Sequence, residues 1–185
     1  LSPSSVPSCQ LLGVRWASHQ RQGPRSTQED YLLCKADERA FPHAYFGVFD
    51  GHGGQWVSEY CADHLHDNVL TSEFAAHDPL TALQDGFLRT DAQLLRRAAA
   101  SRRQQDAGSA AVVAMATAEE IFLAHSGDCR AILVKRSAGG GVSGSSSSSS
   151  AARMHHAPSQ LDPVTTDGSE SALGGYRELT HDHTA

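Results

Sequence analysis

Residues 44–54 read AYFGVFDGHGG, and the fold is decided by this stretch. Ala44–Phe49 is a short apolar and aromatic run, the composition of a buried strand. It stops at Asp50-Gly51-His52-Gly53-Gly54. Glycine lets a backbone approach a ligand closely or take a positive φ. The Asp50 carboxylate and the Gly51 carbonyl are hard oxygen donors, suited to Mg²⁺ or Mn²⁺. The plain alternative is a strand-ending turn with a surface histidine.

On the C-terminal side, QWVSEYCADHLHDNVL pairs Trp56/Tyr60, Val57/Cys61, Cys61/Leu65 and Leu65/Val69 at helical spacing. Asp78-Pro79 reads as an N-cap followed by proline at the first helical position. Leu80, Leu83, Phe87, Leu94 and Leu95 supply that helix's apolar stripe, and Arg96, Arg97, Arg102 and Arg103 crowd its end. Ala110–Ala116, Ile121–Ala124 and Ala131–Val134 follow as three strands of an expected antiparallel meander. On the N-terminal side, Leu12, Val14 and Trp16 alternate with Gly13, Arg15 and Ala17, and Tyr31–Cys34 is a second short strand.

Two further segments bear chemistry. Arg25-Ser26-Thr27-Gln28-Glu29-Asp30 sets an arginine four and five residues before adjacent carboxylates. On extended backbone those carboxylates point to opposite faces, so one can bind a metal while the other orients a ligated water. Arginine suits a phosphate dianion. A solvated charged loop is the competing reading. Gly127-Asp128-Cys129-Arg130 is a tight turn, which alone says little.

Together these segments resemble the PPM family, the type 2C metal-dependent protein phosphatases. FGVFDGHGG, preceded by R-x-x-x-E-D and followed by GSAAVVAMA, IFLAHSGDCRAIL and ELTHDH, matches a pattern of roughly VFDGHGG, GSTA, VGDSRA and LTxDH. Ala stands for Thr at 110–111 and Cys129 for the usual serine. The resemblance implies an α+β fold, a four-layer α-β-β-α sandwich of two mainly antiparallel sheets, present here incompletely. It implies a protein serine/threonine phosphatase with two Mg²⁺ or Mn²⁺ ions and a weaker third. Asp50 would bridge the two ions, Gly51 would add its carbonyl, Glu29 and Asp30 would serve the second ion's shell, and Asp128 would align with the third. Arg25 would hold the phosphate, and His52 would protonate the leaving oxygen. Its partners would be phosphoserine and phosphothreonine proteins. No H-C-x₅-R signature of a cysteine phosphatase and no G-x-S-x-G elbow of an esterase occurs.

The resemblance breaks toward the C-terminus. The family's later aspartate motifs have no counterpart here: Asp162, Asp167 and Asp182 lie in other contexts. Residues 1–185 are therefore expected to be the N-terminal portion of a catalytic domain, with weak metal binding and little activity alone. The alternative is a non-catalytic, truncated docking or regulatory module. His64, His66, His155, His156, His181 and His183 are read as ordinary histidines rather than ligands.

The 185 residues suffice for one domain. Residues 1–10 are expected to be a disordered lead, with the phosphatase-like part over 11–185 and a low-complexity insert at 137–175. Fifteen basic against 21 acidic residues give a net charge of −6, which argues against a nucleic-acid binder. Mean hydropathy is −0.37 and no apolar run spans a membrane, so no membrane attachment is expected; a monomer is expected as well. Four cysteines without a C-x-x-C pair suggest reduced thiols and an intracellular setting, cytoplasm or nucleus. Arg15, Arg21 and Arg25, with no acid before Glu29, leave an organelle-targeting lead open.

Overall fold

The computed structural model describes residues 8–9, 12–37, 41–101, 106–134, 153–157, 176–178 and 180. Four strands, two helices and five further strands follow along them: β1 (Ser8–Cys9), β2 (Val14–Arg15), β3 (Tyr31–Asp37), β4 (His43–His52), α1 (Trp56–Leu70), α2 (Pro79–Ala100), β5 (Gly108–Ala116), β6 (Glu120–Ser126), β7 (Ile132–Val134), β8 (Arg153–Ala157) and β9 (Tyr176–Glu178).

The main sheet runs β3-β4-β5-β6-β8. Its first three pairings are antiparallel, and β6 and β8 are parallel. Along β4 the odd positions Tyr45, Gly47, Phe49 and Gly51 are buried, whereas Val48, Asp50 and His52 are exposed. That alternation is the two-residue period of a strand with one covered face. The cover is the helix pair. Tyr45, Phe49, Val113 and Met115 of the sheet meet Leu65, Val69 and Leu83 of the helices in one core, each at most 1% exposed. Burying each large apolar side chain contributes about 1.5–3 kcal/mol.

Both helices form where their apolar spacing places them. Asp78 caps α2, its carboxylate accepting from the Thr81 amide at 3.1 Å and the Thr81 hydroxyl at 2.6 Å. Proline at the first helical position forfeits no hydrogen bond. Leu95, read as part of the buried stripe, is instead 64% exposed. Its neighbour Leu94 packs against the core, and consecutive helical residues point roughly 100° apart, so the stripe covers only one of the two.

Three other expectations change. The third strand of the meander does not continue the sheet: β7 leaves it and pairs with β9 as a separate two-stranded sheet. Part of the expected insert, Arg153–Ala157, forms β8 beside β6, and Ser8–Cys9 of the expected lead pairs with Val14–Arg15. The Ala131 amide donates to the buried Thr180 hydroxyl at 3.1 Å, which ties the turn before β7 to the chain after β9. The serine run, Arg102, Arg103, Asp162, Asp167, Asp182, His181 and His183 lie outside the described residues, as do the side chains of His155 and His156. Among the described residues, no helix is long and apolar enough to cross a membrane.

Candidate metal and phosphate site

The site forms at one end of the main sheet. Asp50, Gly51 and His52 belong to β4 itself rather than to a turn after it, because β5 extends far enough to pair with them. Asp50 lies opposite Ala110, Gly51 opposite Ser109 and His52 opposite Gly108. On the other side Tyr31 pairs with Phe49, so Glu29 and Asp30 enter the sheet level with Gly51 and Asp50. Beyond β5, Ala111 pairs with Ser126, which brings the Gly127-Asp128 turn to the same edge. Gly127, at φ 83°, allows this fit: a Cβ there would sit 2.7 Å from the Ala110 Cβ.

Backbone contacts fasten these segments. The Ser58 hydroxyl of α1 donates to the Glu29 carbonyl and lies 3.0 Å from the Gln55 carbonyl. Gly51 leaves the room for this contact, since a side chain there would collide with the Glu29 carbonyl and the Ser58 hydroxyl. Gln20 donates to the Asp30 carbonyl at 2.9 Å and Gln22 to the Arg25 carbonyl at 2.7 Å. Thr27 donates to the Glu29 carboxylate at 3.2 Å. Gly53, at φ 67°, turns the chain from β4 toward α1.

The electrostatics report crowding of like charge. Burial raises the Asp50 carboxyl above the usual carboxylate range, and neighbouring Asp30, which shares a hydrogen bond with it, and Asp128 raise it further. Arg25 pulls the other way. Burial also pushes the Cys129 thiol up to about 11, against a hydrogen bond from the Asp50 backbone that lowers it. Asp30, Asp50, Asp128, Cys129 and Arg25 therefore share one neighbourhood. The Glu29 side chain turns to Thr27, and His52 is exposed at the strand end.

Hard carboxylate oxygens in mutual repulsion, beside a glycine carbonyl, are a donor set that fits a divalent cation of the magnesium class. Among the described residues, as the side chains stand, no group of three or more His, Cys, Asp or Glu closes into a metal-binding cluster.

Three positioning contacts were not legible from the motifs: Ser58 on Glu29, Gln20 on Asp30, and Gly108 opposite His52. A serine among the buried positions Val57, Cys61 and Leu65 of α1 was the available signal for the first.

A largely antiparallel sheet covered by a helix pair, with an acidic strand end, defines an α+β protein. The chain belongs to the protein phosphatase 2C family, which matches residues 14–160. It is 42% identical over 86 residues to probable protein phosphatase 2C 42 of Oryza sativa subsp. japonica, covering 46% of this chain and 24% of that protein. It is 29% identical over 162 residues to probable protein phosphatase 2C 30 of Arabidopsis thaliana, covering 84% of this chain and 37% of that protein. The chain thus spans about a quarter to a little over a third of these relatives' length. The crystal structure of serine-threonine phosphatase 2C from Toxoplasma gondii shares its fold at a TM-score of 0.57 and 22% identity, over 64% of this chain and 44% of that one.

Proposed function

We propose that this chain is the N-terminal portion of a Mg²⁺- or Mn²⁺-dependent protein serine/threonine phosphatase. The observation that carries the reading is the strand register that brings Glu29–Asp30, Asp50 and the Gly127–Asp128 turn to one end of the main sheet, in a chain of the protein phosphatase 2C family. Asp50, the Gly51 carbonyl, Glu29, Asp30 and Asp128 are the residues that would hold the ions. The chemistry bound ions supply is activation of a water nucleophile and neutralisation of phosphoryl charge. Arg25 orients the phosphate through its paired N–H groups. His52, exposed at the end of β4 two residues from Asp50, would give a proton to the departing seryl or threonyl oxygen. The substrates on this reading are phosphoserine and phosphothreonine proteins, and the setting is cytoplasmic or nuclear.

The test, made on the full-length protein, is hydrolysis of a phosphothreonine peptide with Mn²⁺, set against EDTA and against Asp50→Ala. Both controls should remove turnover, and turnover surviving both would overturn the mechanism. A second reading is a docking module without catalysis. Calorimetric Mn²⁺ titration of residues 1–185 tests the expected incompleteness of the site, which tight two-site binding would contradict.

A further inference from the structure

His52 and Gly108 are direct cross-strand partners of β4 and β5. The imidazole does not extend freely into solvent from this position. It folds across its neighbour: a Cβ at Gly108 would sit 2.5 Å from the His52 Nε2, 2.7 Å from Cε1 and 3.5 Å from Cδ2. The ring therefore occupies the space that any side chain at position 108 would fill. Together with Trp56, Ser109 and α2 it lines a cavity of about 400 Å³ between the helices and β5. An exposed histidine ordinarily samples several rotamers. Here the bare Gly108 backbone gives the ring a surface to rest on, on the side where the strand partner leaves room.

We propose that Gly108 is a positioning residue for His52, selecting by its missing side chain the orientation from which the imidazole serves the leaving oxygen. The inference rests on the proposed proton-donor role of His52, but the ring contact itself is independent of it. The colliding atoms are the far end of a rotatable side chain. Gly108→Ala should therefore move the ring without harming the fold, and no positive φ at Gly108 opposes the substitution.

The experiment uses the chain with labelled histidine, His52 being assigned by its loss in His52→Ala. In the wild type, a nuclear Overhauser contact is expected between the His52 ring Hε1 and the Gly108 Hα protons. In Gly108→Ala that contact is expected to vanish and the ring resonances to shift, with the melting temperature held within about 2 °C. In the full-length protein, turnover of a phosphothreonine peptide should fall about tenfold or more in Gly108→Ala with KM within about twofold, since a general acid contributes roughly 10²–10⁴-fold. The fall should be smaller for p-nitrophenyl phosphate, whose leaving group needs little protonation, and Gly108→Ala should add nothing in a His52→Ala background. Absence of the wild-type contact, or unmoved ring resonances in Gly108→Ala, overturns the positioning. An equal further loss of turnover in the His52→Ala background overturns action through His52. If His52→Ala alone leaves peptide turnover intact, the proton-donor reading fails, while the resonance measurements still decide the contact.

Discussion

Asp30 enters the main sheet level with Asp50, and the crowding of their carboxyls, with Asp128 adding to it and Arg25 opposing, raises the Asp50 pKa on top of burial. In the absence of a cation this arrangement costs stability once Asp50 ionises. Its folded pKa lies above the unfolded value, so the folded state binds the proton more tightly. The stabilising contribution is complete below the unfolded carboxylate pKa and is lost as pH rises through the raised folded value. Asp50→Asn removes the ionisation. The metal-free variant should melt above the wild type at neutral pH, and the gap should close as the solution is taken below the usual carboxylate range. Mn²⁺ should raise the melting temperature of the wild type and leave that of the variant nearly still. Thermal scans across pH, with EDTA and with Mn²⁺, measure all three.

Gly51 and Ser58 act on the same site from behind. A methyl group at position 51 would press on the Glu29 carbonyl and the Ser58 hydroxyl, so Gly51→Ala must push the Glu29–Asp30 segment off the sheet edge. We expect a stability loss of about 1–3 kcal/mol from overpacking and a fall in Mn²⁺ affinity of about tenfold or more. Ser58→Ala deletes only the hydrogen bond and should cost about 0.5–1.5 kcal/mol. Denaturant unfolding and calorimetric titration read the two effects. Equal Mn²⁺ affinity in Gly51→Ala would remove Glu29 and Asp30 from the ion's surroundings.

Much of this arrangement was legible in the residues. The helices followed from i,i+4 spacing and the Asp78 cap, and β4 from AYFGVF. What escaped was set by pairing across distance. The glycines of DGHGG read as a turn, yet Asp50–His52 stay in strand because β5 reaches back to Gly108. Nothing local distinguishes Ile132–Val134 from a further meander strand, and its partner, Tyr176–Glu178, lies more than forty residues on. Arg153–Ala157 has no alternation of its own and becomes β8 only beside β6. At the site, residue types identified the carboxylates and Arg25, while the contacts that orient them came from residues with no motif. The buried His43–His66 pair, Nε2 to Nε2 at 2.9 Å with His43 Nδ1 2.8 Å from the Phe41 carbonyl, is of the same kind: neither histidine stands in a recognisable context.

The helix pair is held at close range by Gly86. A Cβ there would overlap a Val69 methyl and approach the Val69 amide nitrogen to 3.1 Å. Alongside, the Asn68 amide donates to Thr90 at 2.8 Å and to Gln93 at 2.9 Å, so α1 and α2 are locked in depth and in register. Gly86→Ala sets two effects against each other. Alanine gains about 1 kcal/mol in helix propensity. Overpacking a closed interface costs about 1–3 kcal/mol, and the backbone on the far side cannot yield. The net change should be destabilising. Adding Val69→Ala should recover part of the loss even though that substitution alone is harmful, and a double-mutant cycle by denaturant unfolding would register the coupling.

Asp78 offers a test of the fold independent of the site. Its carboxylate accepts from the Thr81 hydroxyl and amide, and these bonds hold its pKa below the usual value. A depressed carboxylate stabilises the fold above the unfolded pKa, and the contribution fades as pH falls through the lower folded value. Asp78→Ala should cost about 0.5–2 kcal/mol at neutral pH, the usual range for a lost N-cap. The difference from wild type should shrink on acidification below the ordinary carboxylate range. Asp78→Asn keeps an oxygen acceptor and should recover most of the neutral-pH loss, but its stability should not follow that pH dependence. Chemical unfolding of the three proteins at neutral and acid pH separates these outcomes. A loss in Asp78→Ala that stays constant down to strong acid would show that packing of the first turn, not the carboxylate cap, sets the start of α2.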